Sequence, residues 1–394
     1  MKDVRITRTY DLPANVTALW PVLSDTHRMN RMFGLPQLAF THTPRTAGRP
    51  LVTGTTSQLG QVMTWEEHPF EWVEHQRYSV LRTYRNGPFS QVRIGFNIKG
   101  ATADRTQVEI EVVASPRSSL AGGLLALLRN AVANKWGTIL HQMAVYASGQ
   151  AAEVDRRNPY DTNPLVVAAC EPFRAPLTRE GFSPDAVQKL FVLLASRPDD
   201  ELVRMRPYAL ASRLGLSRRD ALRLFMFGTR AGLLSMSWDL LCPHCRGASV
   251  HADSLGGVVP SSACDSCGIQ FDVEFDRNVE ITFSPNNAVR KLSVVPFCSG
   301  GPSVTPHVRV QQKLAAQEAR SLQVELRPGR YRIRASGVPG TAVLEVGGEP
   351  ATDAATDVTV TAQGVVVPAG TVPSQVTLRL HNQTDSQTVV CVES

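Results

Sequence analysis

Leu120-Ala121-Gly122-Gly123-Leu124-Leu125-Ala126-Leu127-Leu128 opens a stretch along which Leu124, Leu127, Leu128, Ala131, Lys135, Leu140 and Met143 recur at helical spacing as far as Tyr146. The spacing predicts one long helix, Leu120 to Tyr146. Its apolar opening is interrupted by Gly122 and Gly123 and ends at Arg129-Asn130, far short of a membrane span. Working back from the helix, Gln107 to Ala114, Gln91 to Ile98, Trp72 to Val80, Gln61 to Glu67 and Leu51 to Thr56 read as strands. Before them come two short helices. Asn15 to Leu23 carries Val16, Leu19, Trp20 and Leu23 on one face, and Ser24-Asp25 caps a second helix over Thr26 to Phe33. Val4-Arg5-Ile6-Thr7-Arg8-Thr9-Tyr10 alternates with period two and opens the series as a strand.

A chain of 394 residues holds about two to four domains. Apolar content of 43% and charged content of 19% exclude disordered and collagen-like readings. Met1 to Tyr10 has no apolar core of the kind a secretory signal needs, and a cytoplasmic protein without a membrane span is expected. Residues 1 to 150 hold 16 Lys/Arg and 10 Asp/Glu, so the whole formal charge of +6 sits there. A nucleic-acid reader would place that excess on its recognition module.

Four of the seven cysteines form two pairs, Cys242-Pro243-His244-Cys245 and Cys264-Asp265-Ser266-Cys267. A two-residue gap lets both thiolates of a pair face one metal from a tight turn, and two such turns complete a tetrahedron. A closed structural zinc ribbon with ligands Cys242, Cys245, Cys264 and Cys267 is expected, with Gly247 and Gly268 supplying the turns. Redox dithiols are the competing reading, and His244 or His251 offers a replacement for one thiolate. Cys170, Cys298 and Cys391 are scattered, which suits a reducing compartment.

Prolines 159, 164, 172 and 176 mark a linker over 151–182. Ser183-Pro184 starts a helix through Val187, Leu190, Phe191 and Leu194. Pro207 to Leu214, a break at Gly215 and the Ser217-Arg218-Arg219-Asp220 cap give a helix-turn-helix pattern within a winged-helix-like segment, 183–238. Arg219, Arg223 and Arg230 suit phosphates, but Leu222, Leu224, Phe225, Met226 and Phe227 make that helix apolar over most of its circumference. A structural or partner-contacting role is expected over nucleic-acid binding. The ribbon occupies 239–285, with Ile269 to Phe275 and Asn278 to Phe283 as alternating strands. An all-β sandwich follows over 286–394, where Val389-Val390-Cys391-Val392 and several alternating runs come at short spacing around the Arg327-Pro328-Gly329-Arg330 turn.

The order of elements in 1–150 resembles the START-like, polyketide-cyclase-like (SRPBCC) superfamily, whose usual first helix Ala18-Leu19-Trp20-Pro21-Val22-Leu23-Ser24-Asp25 is similar to. The resemblance implies a helix-grip fold whose sheet wraps the long helix around a cavity for an apolar small molecule. Met63, Trp65, Trp72, Trp136 and Met143 are then the candidate walls; equally, such residues at alternating positions are the mark of a filled core. Trp238-Asp239-Leu240-Leu241-Cys242-Pro243-His244-Cys245, with the second cysteine pair, resembles a family of bacterial multidomain proteins. In these a START-like domain and a zinc-cysteine domain of unknown function precede a class III adenylate/guanylate cyclase. The resemblance implies a multidomain α+β regulatory region that senses a small apolar ligand or a protein partner and controls a cyclase. The chain stops where that family continues into its catalytic domain. No catalytic set is found in these residues, since the nine histidines lack Ser, Cys or acid partners at a recognisable spacing. Two alternatives stay open: a stand-alone winged-helix and zinc-ribbon transcription regulator, and a polyketide-cyclase-like enzyme in which Glu66, Glu67, His68 or His75 serves as the buried acid or base.

Overall fold

In a computed structural model the described residues are 2–43, 50–58, 60–151, 162–243, 246–264, 269–293, 298–348 and 353–394. They pack as two compact units, one drawn from Met1–Asp155, Asp265–Ile269 and Pro296–Ser394, the other from Arg156–Cys264 and Gln270–Val295.

In the first unit the strand Val4–Leu12 leads into the helices Val16–Leu23 and Thr26–Phe33. Asn15 and Asp25 cap them, each side chain accepting a backbone N–H of the first turn. An antiparallel sheet then runs through Thr106–Pro116, Phe89–Ala101 and Arg77–Tyr84, with Gln61–Glu67, Leu51–Gln58 and Ala39–Thr43 branching from Arg77–Tyr84. The helix Ser119–Ala147 lies in its curve, which is the helix-grip arrangement. Its buried positions among the described residues, Ala133, Trp136, Ile139, Leu140, Met143 and Ala144, all lie from its midpoint onward. The single strand expected over Trp72 to Val80 is instead two, Glu71–Val73 and Arg77–Tyr84. His75 between them adopts φ 60°, a left-handed backbone that a continuous strand excludes.

The edge left by Glu71–Val73 is taken by Val308–Leu314, which pairs with it antiparallel at Val310↔Val73 and Gln311↔Trp72. Thirteen strands thereby share one sheet, continuing through Thr388–Glu393, Gly329–Ala335 and Ala342–Val346 to Thr371–Val372. Side chains of these middle strands divide between two cores, alternating in Thr388–Glu393 as the pleat requires and, in Val308–Leu314, switching sides where the register shifts between Val308 and Val310. Trp72, Val308, Val389 and Cys391 join the core under the long helix. Val73, Val310, Val390 and Val392 join the core of the β-sandwich, whose opposing sheet is Ala319–Glu325, Gln375–Asn382, Ala355–Thr361 and Gly364–Val366. The seam is closed by polar side chains: Gln311 and Gln312 donate to the carbonyls of Phe70 and Trp72, Arg309 pairs with Glu74, and Arg320 pairs with Glu71. Trp72 Nε1 donates to Val308 O at 3.0 Å. Trp72→Phe removes that donor and leaves a buried carbonyl; we expect a loss of about 1–3 kcal/mol, read by urea titration.

The second unit begins with residues that proline spacing marks as linker. Pro164–Cys170 and Arg174–Arg179 are helices whose Val166, Cys170 and Leu177 are buried in a helical core. Pro164 sits in the first turn of its helix, where a proline has no hydrogen bond to break. Pro184–Ser196, Pro207–Leu214 and Arg218–Ala231 follow, the last two separated by Gly215 at φ 69°. Ser217 accepts from Asp220 N, and its hydroxyl in turn holds the Asp220 carboxyl below its usual pKa. A three-stranded sheet of Ala248–Ala252, Leu234–Leu241 and Val279–Pro285 covers the helices' end of the sequence, and Ser261–Cys264 pairs with Ile269–Asp272. The alternation read over Ile269 to Phe275 ends at Asp272. Phe275–Asn278 is a helical turn, closed because buried Asn278 accepts from Glu274 N and donates to Leu241 O.

Candidate functional site

The face of Arg77–Tyr84 that looks toward the long helix carries Tyr78, Val80, Arg82 and Tyr84 in succession. Tyr78 stacks on Phe96 at 4.6 Å, and Phe96 meets Trp136 edge-on at 5.4 Å. Between these aromatics and the helix Thr26–Phe33 lies a cavity of about 30 Å3, lined by Thr26, Met29, Asn30, Phe70, Tyr78, Val80, Arg82, Ile94, Phe96 and Trp136. That volume admits about one water, whereas pockets for drug-sized ligands run to roughly 300–1,000 Å3.

One wall of the cavity is charged. Arg82 and Glu67 are both buried, with Arg82 Nε 2.9 Å from Glu67 Oε2, and Trp65 Nε1 donates to the same carboxylate oxygen at 2.5 Å. The guanidinium stands 5.3 Å from the Trp65 ring centroid. Burial works against the Arg82 charge, and Glu67, aided by Tyr84 and Cys298, outweighs it and raises the guanidinium pKa. Burial also keeps the Tyr78 phenol neutral by pushing its pKa well up, and the hydroxyl donates to Leu23 O at 2.8 Å.

The cavity's helical wall is tied down from the carboxy-terminal part of the chain. Thr26 Oγ1 reaches Gly300 O at 2.7 Å and Cys298 Sγ at 3.1 Å. A Cβ on Gly301 would come within 2.6 Å of Thr26 Oγ1, so only glycine permits this approach. Burial, with Glu67 nearby, pushes the Cys298 thiol up, and it donates to Gly300 O.

Of the five expected wall residues only Trp136 lines this cavity. Met143 is fully buried deeper in the core, and Trp72 spends its indole N–H on the seam. Trp65 braces Arg82 and packs under Gly54, where a Cβ would stand 2.4 Å from its ring. Met63 is half-buried near Gly87. Among the four suspected acids and bases, Glu67 is the one buried beside the cavity wall. His68 contacts Thr83 Oγ1 at 3.0 Å, Glu66 is half-buried, and His75 meets Trp20 edge-on with its pKa lowered by burial. Arg82 was missed, although its parity with Tyr78 and Val80 places a charge on the apolar side of the strand.

In the second unit Cys242 and Cys264 are buried at strand ends, while Cys245 and Cys267 lie outside the described residues. Cys242 O accepts from Arg246 N at 2.9 Å, and the positive φ of this turn, 56°, falls on Arg246 and not on Gly247. Among the described residues no three His, Cys, Asp or Glu side chains cluster to hold a metal. Buried Cys242 is flanked by two backbone hydrogen bonds, from Arg246 N to its carbonyl and from its own N–H to Gly247 O, and its thiol is a ligand of the kind a metal would need. His251 is committed elsewhere, its Nδ1 2.7 Å from fully buried Asp239. Arg223 lies over Phe182, and Arg230 lies over Phe227 and pairs with Glu180.

Residues 174–296 match DUF5939, a family of unknown function. Both cysteine pairs fall inside the match. No curated protein matches the chain. Among solved structures the chain is similar to the Zhui aromatase/cyclase from Streptomyces sp. R1128, at 13% identity over 36% of this chain and 94% of that one, with a TM-score of 0.29. A START superfamily protein from Mycobacterium smegmatis gives 12% identity over 35% of this chain and 98% of that one, with a TM-score of 0.26. The di-domain ARO/CYC StfQ from the steffimycin biosynthetic pathway gives 10% over 37% and 52%, with a TM-score of 0.29.

Proposed function

We propose that this chain is a ligand-responsive regulatory protein whose helix-grip interior opens to admit a small apolar molecule. The observation that carries this reading is the small cavity with one charged wall, whose helical side is tethered through Thr26 to Gly300. A ligand larger than a water must displace the helix Thr26–Phe33 or the Trp136 side chain, and displacement of the helix strains the Thr26 tether. Binding then selects an open state, and the free energy for the shift is the ligand's preference for that state. Arg82 at the wall favours a ligand with a polar or anionic end. The cysteine pairs hold a structural zinc in this proposal, with Cys242, Cys245, Cys264 and Cys267 as ligands and the metal fixing the ribbon. The resemblance around Trp238 to Cys245 supports a nucleotide cyclase as the controlled effector.

Solvent extraction of the purified protein with mass spectrometry, followed by melting in a panel of fatty acids and aromatic polyketides, tests the binding claim. A binder present at about 100 times its Kd should stabilise the protein by about 2.7 kcal/mol. An empty extract together with no shift across the panel would sink the reading. A second reading, cyclisation of a bound polyketide, draws on the same Arg82 wall; conversion of a panel compound to a product of altered mass distinguishes it from binding alone.

A further inference from the structure

None of the described residues of the long helix before Val132 belongs to the core beneath it, yet this part of the helix is apolar. Leu120 and Leu127 are each 82% exposed, the most exposed large hydrophobic residues described. Seven residues apart, they stand on one helical face. Gly123 and Ala126 between them are exposed as well. The opposite side of this half is set by Gly122, where a Cβ would meet Pro116 Cγ at 3.2 Å, so the helix rests closely on the strand end there and the leucines point away.

Basic groups stand at both ends of this face. Exposed Arg117 precedes the helix, anchored by donating to Tyr84 O at 2.6 Å, and exposed Arg8 donates to Asn130 Oδ1 at 3.2 Å at the far end. No Asp or Glu occurs in the sequence between Glu111 and Glu153, and the nearest strand end carries Asp3, held by Ser115 Oγ at 2.8 Å; Arg129, seven residues after Gly122, lies on the side of the helix away from the leucines. The segment 1–150 carries the whole positive excess of the chain.

We propose that this half-helix docks on an anionic lipid surface, with Leu120 and Leu127 entering the acyl boundary and the flanking arginines meeting headgroup phosphates. An exposed apolar face on a helix that itself carries no carboxylate, with basic groups at its ends, is the pattern of a helix that lies in the interface plane. It lies on the membrane and does not cross it: no helix of the described residues is long and apolar enough to do so. A second copy is the poorer occupant, because two such faces would bring like-charged brackets together.

The test is co-sedimentation of the full chain with vesicles of phosphatidylcholine alone and of phosphatidylcholine mixed with phosphatidylglycerol. Sedimentation with the anionic vesicles is expected, falling as salt screens the headgroups. The double variant L120E/L127E should lower the partition coefficient by about tenfold or more, since each glutamate replaces an inserting leucine with a repelled charge. Its Tm and circular dichroism should match the parent, as neither leucine is packed. R8Q should weaken binding and flatten its salt dependence. Failure to sediment with anionic vesicles, or sedimentation unchanged in L120E/L127E, overturns the proposal. A parent dimer that L120E/L127E converts to monomer in sedimentation equilibrium overturns it in favour of a second copy.

Discussion

Replacing Glu67 by Gln is expected to cost about 3–5 kcal/mol, because it leaves the Arg82 guanidinium buried without its counter-charge. Arg82 cannot relieve the loss by deprotonating at any accessible pH. Nor can it reach water without leaving its place over Trp65, which is 1% exposed. The Trp65 indole, which donates to the same carboxylate, would compete with Arg82 for the remaining amide oxygen. The double variant Glu67→Met with Arg82→Met should recover most of the loss, since removing both charges also removes their desolvation cost. Urea titration of the parent, the single variant and the double variant checks this. A Glu67→Gln loss below about 1 kcal/mol would mean that water reaches the pair. The penalty should also change little with salt, unlike that of the exposed Arg5–Glu111 pair.

Cys264→Ser should release about one zinc per chain, and chelation of the parent should do the same, because a tetrahedron of thiolates does not hold with a ligand missing. Structural zinc sites carry apparent binding free energies of about 10–16 kcal/mol, so the segment they organise should lose its order with the metal. The loss should be local. The helical core of the second unit is built from residues such as Val187, Leu190, Phe191, Leu224 and Phe225, none of them from 242–278. Metal quantification paired with far-ultraviolet circular dichroism separates the two effects: zinc gone and helix signal retained is the expected result. A purified protein without zinc would sink the assignment.

Much of the helix-grip body was legible because its elements are local. Period two gave the strands and helical spacing gave the long helix, although Leu127 and Ala131 of its expected apolar stripe are exposed, and Asp25, Ser183 and Ser217 act as the caps their positions suggested. What escaped depends on partners distant in the chain. Val389-Val390-Cys391-Val392 reads as a strand, and its lack of alternation is what burial on both faces produces, but nothing local says that the second face lies under the long helix. The cavity was mislaid for a similar reason. Trp72 and Met143 are large and buried, which single-residue chemistry cannot tell from facing a cavity. Arg82 was the readable clue, since a charge at an inward parity demands an internal partner, and Glu67 is that partner.

The seam between Glu71–Val73 and Val308–Leu314 also bears on how the protein is made. Ribosomes deliver the amino terminus first, and helix-grip residues 1–150 have left the tunnel long before residue 308 exists. Until then the edge of Glu71–Val73 has no strand to meet, and the places of Val308, Val389 and Cys391 in the core are empty. Pairing separated by more than 200 residues closes slowly and leaves an unpaired strand edge open to other chains meanwhile. The nascent chain therefore waits for strands more than 200 residues downstream to finish the core of its first residues, and its edge stays exposed during that interval.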